Sequence, residues 1–277
     1  MHRKMLLNIT MMTMMMNATT ETEVHNRLKE ACCFLSHYAG ALLGSGATCI
    51  RIEKNIGRMA QKFGVDAEVT LLPTHTIVVL WDKAHEHSYS CFSRAEGAID
   101  FCRNIEMSKM SWQVAQGKLS IGQAQKRLEE ILGKPRTNKW VVLLLAAVAN
   151  ASFCRLFGGD FWAVGIVFCA TLLGFFIKQI LVEDDVDVRL ATIAAGFVAS
   201  VVGAAGNLFG FSATPDVALG TSVLFLIPGI PYINAGSDLL TGHYLCSVSR
   251  FIQAAILTVC LSLGLCGGML LMQMKFF

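Results

Sequence analysis

Beyond residue 139 the chain holds five apolar segments, about 140–157, 161–182, 190–211, 217–235 and 251–272, each 18–22 residues long. A helix of about 20 residues crosses the ~30 Å hydrocarbon core of a bilayer. In lipid every backbone N–H and C=O must be satisfied within the protein, so runs of this length are expected as helices. The charge pattern agrees. Residues 1–136 carry 17 Lys+Arg and 13 Asp+Glu, whereas residues 137–277 carry 6 and 7. The charged fraction thus falls from about 22% to about 9%, from near the ~25% of a soluble domain to far below it. One soluble globular domain is excluded, and so is disorder. A net charge of +3, spread along the chain, gives no nucleic-acid footprint. The expected fold is an α-helical membrane protein, with a cytosolic α+β domain at 21–136 and five transmembrane helices within 137–277.

Residues 1–20 hold seven of the thirteen methionines, with polar breaks at Asn8, Thr10, Thr13 and Asn17. That pattern lacks the continuous apolar core of a signal peptide and reads as a disordered leader. In the α+β domain, Leu28, Ala31, Leu35, Tyr38, Ala39 and Leu42 recur at helical spacing, following Val24. A second helix is predicted over 48–63, with Gly64 as its C-cap. Strands are predicted at 67–72, 75–81 and 88–92, with His85, Glu86 and His87 in a solvated turn. Helices follow at 99–116 and from Ser120, whose partner three residues on, Gln123, completes a capping box. Ten cysteines show no C-x-x-C spacing, which reads as small buried hydrophobes in a reducing compartment; no metal site is expected.

Lys134, Arg136, Lys139, Lys178, Arg189 and Arg250 flank one side of the five spans, and Arg155 and Lys275 the other. The positive-inside rule then puts the N-terminal domain in the cytosol. Within the spans, Pro228, Gly229 and Pro231 are the strongest signal. Each proline removes a backbone donor and clashes with the preceding turn, so the fourth span is expected to be broken. Broken helices hold substrate in many transporters, because half-helix ends aim partial charges at the ligand. Asn234 and Asp238, four residues apart, share a helix face near the break. A kink that serves only packing is the alternative.

Asn150 is costly facing lipid and must meet either another helix or a polar path. Asp160, after Gly158 and Gly159, reads either as the N-cap of the second span or as a partner of Arg155 at an extracellular mouth. Small residues at 195, 196, 199, 203, 206 and 210, and at 264, 267 and 268, read as close helix packing. The sequence carries no P-loop, no G-x-G-x-x-G after a strand and no nucleophile–base pair, so neither an enzyme nor a cofactor is expected.

Several ordered segments resemble the threonine/serine exporter family. They are Gly44-Ser-Gly-Ala-Thr-Cys-Ile-Arg-Ile-Glu53, Gly117-Lys-Leu-Ser-Ile-Gly-Gln-Ala124, Leu156-Phe-Gly-Gly-Asp160, Ile227-Pro-Gly-Ile-Pro-Tyr-Ile-Asn-Ala235 and Asp238-Leu-Leu-Thr-Gly242. The resemblance implies export of threonine, serine or small carboxylates such as succinate across a bacterial inner membrane. Full-length members carry a second block of about five spans. The resemblance therefore implies a split system, with a second five-span membrane subunit or a homo-oligomer completing the path. The competing expectation is a membrane-anchored regulatory or assembly protein whose cytosolic domain senses a ligand.

Overall fold

The structure, a computed structural model, describes residues 25–82, 87–95, 97–135, 137–210 and 212–273. The leader at 1–20, Val24, His85, Glu86, Arg136 and Lys275 lie outside them. The chain forms two compact units, one of Met1–Lys134 with Asn234–Ser249, the other of Pro135–Ile233 with Arg250–Phe277.

The first unit packs helices on a three-stranded sheet. Helix α1 (25–44) buries Leu28, Leu35, Tyr38 and Leu42 along one face, as its spacing predicts. Helix α2 (Cys49–Phe63) buries Ile52, Ile56 and Met59. It ends at Gly64, whose φ of 75° lets its N–H reach back to the last-turn carbonyls of Ala60 and Gln61. Strands β1 (Asp66–Leu71), β2 (His75–Trp81) and β3 (Ser88–Arg94) pair antiparallel in that order. Val69 faces Val78, and Val78 faces Cys91 on the other side. The central strand alternates cleanly, with Thr76, Val78 and Leu80 buried.

Two further helices complete the chain-contiguous part of this unit. Helix α3 (Phe101–Ala115) starts on the Asp100 carboxylate, which accepts from Arg103 N. Helix α4 (Ile121–Gly133) starts on a capping box in which both the Ser120 and Gln123 bonds form. The core also takes in Cys246, far along the chain.

The second unit is helical. Helix α5 (Lys139–Leu156), helix α6 (Phe161–Glu183) and helix α7 (Val188–Gly203, extended by the short α8, Ala205–Leu208) correspond to the first three apolar segments. Next come helix α9 (Pro215–Ser222), a 3₁₀ turn at Leu224–Leu226, helix α10 (Gly229–Leu240) and helix α11 (Tyr244–Leu271). The division between the units falls inside α10 and α11.

Among the described residues four helices are long and apolar enough to cross a bilayer: α5, α6, α7 with its continuation to Asn207, and α11. Pro215–Leu226 and Gly229–Leu240 together form a fifth candidate, bent by 62°. Large apolar side chains such as Leu145, Phe153, Trp162, Phe251, Val259 and Leu263 stand exposed on these helices, as a lipid-facing surface requires.

Glycines set the helix spacing. A methyl group at Gly264 would strike the Ile193 carbonyl, and one at Gly268 would strike the Ser200 hydroxyl, so α11 lies directly against the α7 backbone. At Gly174 a Cβ would come within 3.0 Å of the Ala195 carbonyl, which fixes α6 on α7 in the same way. Helix α11 begins seven residues before the apolar segment expected at 251. Its first turns bury Cys246 in the core of the sheet unit, while Tyr244, Leu245 and Val248 beside it are exposed.

Candidate functional site

The interruption between α9 and α10 follows directly from its two prolines. A residue before proline is pushed out of the helical region. Ile227 accordingly sits at φ −63°, ψ 126°, and the 3₁₀ turn stops at Leu226. Pro231 falls in the first turn of α10, where a missing N–H costs nothing because those donors have no intrahelical acceptor. Each proline thus occupies the position its geometry favours, one ending a helix and the other opening the next. Gly229 N–H turns back onto the Ile227 carbonyl at 2.8 Å. The α10 end at Gly229 carries the partial positive charge of a helix N-terminus.

Asn150 projects from α5 toward this break and is buried. Its amide donates to Thr171 Oγ1 of α6 at 2.7 Å and to the Thr221 carbonyl of α9 at 3.0 Å. Thr221 lies in the last turn of α9, whose carbonyls lose their intrahelical donors where the helix stops. The Thr221 carbonyl takes the Val223 N–H, and Asn150 adds a second donor from a neighbouring helix. Thr171 in turn donates to Val167 O at 2.8 Å. One amide therefore ties three helices together at the point where the fourth apolar segment is interrupted. Beside it lies a cavity of about 510 Å³ walled by Phe153, Phe157, Leu224, Phe225 and Ile227, with Asn150 its polar member. A cavity of that volume admits a small metabolite.

Asp160 is the N-cap of α6. Its Oδ1 accepts from Ala163 N at 2.7 Å and from the Ser212 hydroxyl at 3.0 Å; its Oδ2 accepts from Ala213 N at 2.6 Å. Its own N–H donates to Thr214 Oγ1 at 3.0 Å. The Ala163 and Ala213 amides hold this carboxyl below the usual carboxylate range. It clasps the α6 start to the loop that leads into α9. Arg155 does not pair with it. The guanidinium instead donates to the Gly159 carbonyl at 3.0 Å and lies 5.3 Å over the Phe161 ring. Gly158 at φ 85° and Gly159, where a Cβ would strike Cys154, make this turn tight enough for that bond.

Asn234 and Asp238 find their partners in the sheet unit. The Asn234 amide donates to the Gly46 carbonyl at 2.9 Å. Asp238 is fully buried, and its Oδ1 accepts from Cys49 N at 2.9 Å. Thr48, the N-cap of α2, makes no side-chain capping bond, so Asp238 takes over that task from nearly two hundred residues away. His243 Nε2 meets Glu53 Oε1 at 2.8 Å, one turn further along α2. The segment 44–53 noted in the sequence is thus bonded to Asn234 of the segment 227–235 and to Asp238 of the segment 238–242.

Sequence reasoning did not anticipate Cys49, Glu53 and His243 in this cluster, nor Thr171 and Thr221 around Asn150. The hydroxyls in otherwise apolar spans were the available signal for the last two. Among the described residues no three His, Cys, Asp or Glu side chains converge to hold a metal ion.

The profile of the threonine/serine exporter family, ThrE, matches residues 34–272. A Klebsiella aerogenes protein named "Probable succinate transporter subunit YjjP" is 28% identical over 225 residues, covering 80% of this chain and 86% of that one. The Escherichia coli K12 protein of the same name is 27% identical over 225 residues, with 80% and 87% covered. No solved structure matches the chain. The family match takes in both the three-stranded sheet and the apolar helices, so this chain, a multi-pass membrane protein, belongs to the threonine/serine exporter family.

Proposed function

We propose that the chain is one subunit of a secondary exporter that carries small polar metabolites out across the bacterial inner membrane. The substrates are threonine- or serine-type amino acids or small carboxylates such as succinate. The observation that carries this reading is the interrupted α9–α10 segment in a member of an exporter family, with the Asn150 amide and a cavity of about 510 Å³ beside it. An anchor needs neither a broken span nor a buried amide at that depth; a substrate path uses both. The sequence has no nucleotide-binding loop, so flux runs on the substrate gradient or on protons.

The cavity also argues for a partner. Its walls are mostly apolar, with one amide among them, too few polar groups to replace the hydration of a charged metabolite. A second five-span subunit of the same family, or a second copy of this chain, supplies the remainder. Both relatives named above are called transporter subunits, which supports the same arrangement. Lys134, Lys139, Lys178 and Arg189 favour the orientation with the sheet unit in the cytosol.

Uptake of labelled succinate and threonine into inverted membrane vesicles tests the proposal. Flux is expected when this chain is co-expressed with a five-span partner, with little from the chain alone. No flux of either compound with a partner present refutes the exporter reading. Full flux from the purified single chain refutes the partner and leaves a homo-oligomer.

A further inference from the structure

A second cavity, of about 540 Å³, opens between α2 and α3 within the sheet unit. Arg51, Lys54, Arg58 and Lys109 line it, and among the described residues no acidic side chain does. The acids on the same two helices are committed elsewhere: Glu53 pairs with His243 at 2.8 Å, and Glu106 with Lys134 at 2.6 Å.

The two arginines are held by neutral groups. Arg51 donates to Asn104 Oδ1 at 2.8 Å, and Arg58 donates to Asn55 Oδ1 at 2.9 Å and to the Ser111 hydroxyl at 2.8 Å. The Arg58 guanidinium carbon also lies over the Trp112 ring, 3.9 Å from its centroid. The supporting side chains are themselves fixed. Asn55 is buried and donates to the Tyr38 hydroxyl at 2.8 Å, which donates on to the Met107 carbonyl. These bonds orient the guanidinium groups without cancelling their charge. Lys54 and Lys109 stand exposed at the rim and, among the described residues, form no ion pair, although Glu106 lies near enough to Lys109 to feel its charge. Four like charges around one cavity repel each other, and the arrangement is relieved when a counter-charge enters.

We propose that this cavity is a binding site for a small, multiply charged oxyanion, a dicarboxylate or a phosphate group, separate from the transport path. Planar guanidinium groups match the paired oxygens of either ligand, and the two lysines supply point charges that close over it. The site gives the sheet unit a ligand-responsive role that the helical unit does not need for substrate passage.

The test uses the full chain in nanodiscs of zwitterionic phosphatidylcholine, titrated calorimetrically with inorganic phosphate and with succinate. Saturable binding of at least one anion is expected. The Lys54→Gln/Lys109→Gln double variant should bind it ~10-fold or more weakly, since each charge-assisted contact contributes on that scale. Its melting temperature without anion should equal or exceed that of wild type, because two repelling charges are gone. Phosphatidylglycerol nanodiscs provide the second arm. A free anion keeps its affinity there if the site serves soluble ligands; loss of that affinity means a lipid headgroup fills the cavity and overturns the proposal. Absence of saturable binding, or unchanged affinity in a double variant that melts normally, overturns it as well.

Discussion

Replacing Asp238 separates two roles that its position near the broken segment leaves entangled. In the structure its carboxylate accepts the Cys49 N–H at the first turn of α2, a helix of 15 residues. A negative charge at a partly buried helix N-terminus contributes up to ~2 kcal/mol. Leaving a buried N–H without an acceptor costs a further ~1–3 kcal/mol. Asp238→Ala should therefore cost about 2–4 kcal/mol in the local stability of the α2 start. Asp238→Asn keeps an oxygen acceptor and loses only the charge, about 0.3–2 kcal/mol. Cys49 is itself buried and offers a local readout, since its thiol reacts only when the helix start opens. With tenfold per ~1.4 kcal/mol, maleimide labelling of Cys49, followed by peptide mass spectrometry, should accelerate roughly 30- to 700-fold in the alanine variant and by less than ~30-fold in the asparagine variant. Cys154, buried in the helical unit, should keep its rate. Flux per folded molecule should stay close to wild type for Asp238→Asn. Unchanged Cys49 labelling together with a large loss of normalised flux would refute the capping role and return Asp238 to the transport path.

Three further outcomes follow from the helical unit. Replacing Pro228 and Pro231 together by alanine should raise or preserve abundance while lowering normalised vesicle flux, because the regular helix it favours removes the break; equal flux per molecule would take that break out of the mechanism. Asn150→Leu removes two hydrogen bonds, each about 0.6 and at most about 1.7 kcal/mol in a membrane interior, so a modest drop in detergent unfolding midpoint and a larger proportional loss of flux are expected. For Asp160 the folded-state pKa is lowered, so its contribution to stability is present above the ordinary carboxylate pKa of about 4 and is lost as pH falls through the lowered value. Protection of the Ala213 amide, its exchange rate relative to the intrinsic rate at each pH, should therefore fall at acid pH in wild type, and Asp160→Asn should show less protection at neutral pH with a flatter profile.

The elements of this fold were legible in the sequence wherever a local rule governs them. The β2 strand matches its predicted bounds at both ends, and the Ser120–Gln123 capping box forms as its spacing requires. Gly64 takes up the left-handed conformation that a C-cap demands. The broken segment is equally local, because two prolines three residues apart dictate where one helix stops and the next begins. What hydropathy did not reveal is where the polar residues beyond the break find their partners. Asn234 and Asp238 follow an apolar run and so read as groups at membrane depth. Their hydrogen bonds go to Gly46 and Cys49, across sequence separations of 188 and 189 residues. No local pattern encodes a pairing of that kind.

The same distinction bears on what the Asn150 cluster does. A buried amide in an apolar bundle has to be satisfied, and a threonine hydroxyl one helix away would suffice for that. Here the second bond goes to the Thr221 carbonyl at the end of α9, which also accepts the Val223 N–H. Without the break, the Thr221 carbonyl would be engaged four residues on along a continuous helix, and Asn150 would lose its strongest reason to be polar. Without Asn150, the break would leave a carbonyl with one fewer donor in a low-dielectric interior. The expected double-variant behaviour follows. The cost of Asn150→Leu should shrink when Pro228 and Pro231 are both alanine if the continuous helix so favoured carries back through 221–225 and brings the Phe225 N–H onto the Thr221 carbonyl. A thermodynamic cycle on unfolding midpoints reads that coupling directly, and strictly additive effects would show that the two features serve separate ends.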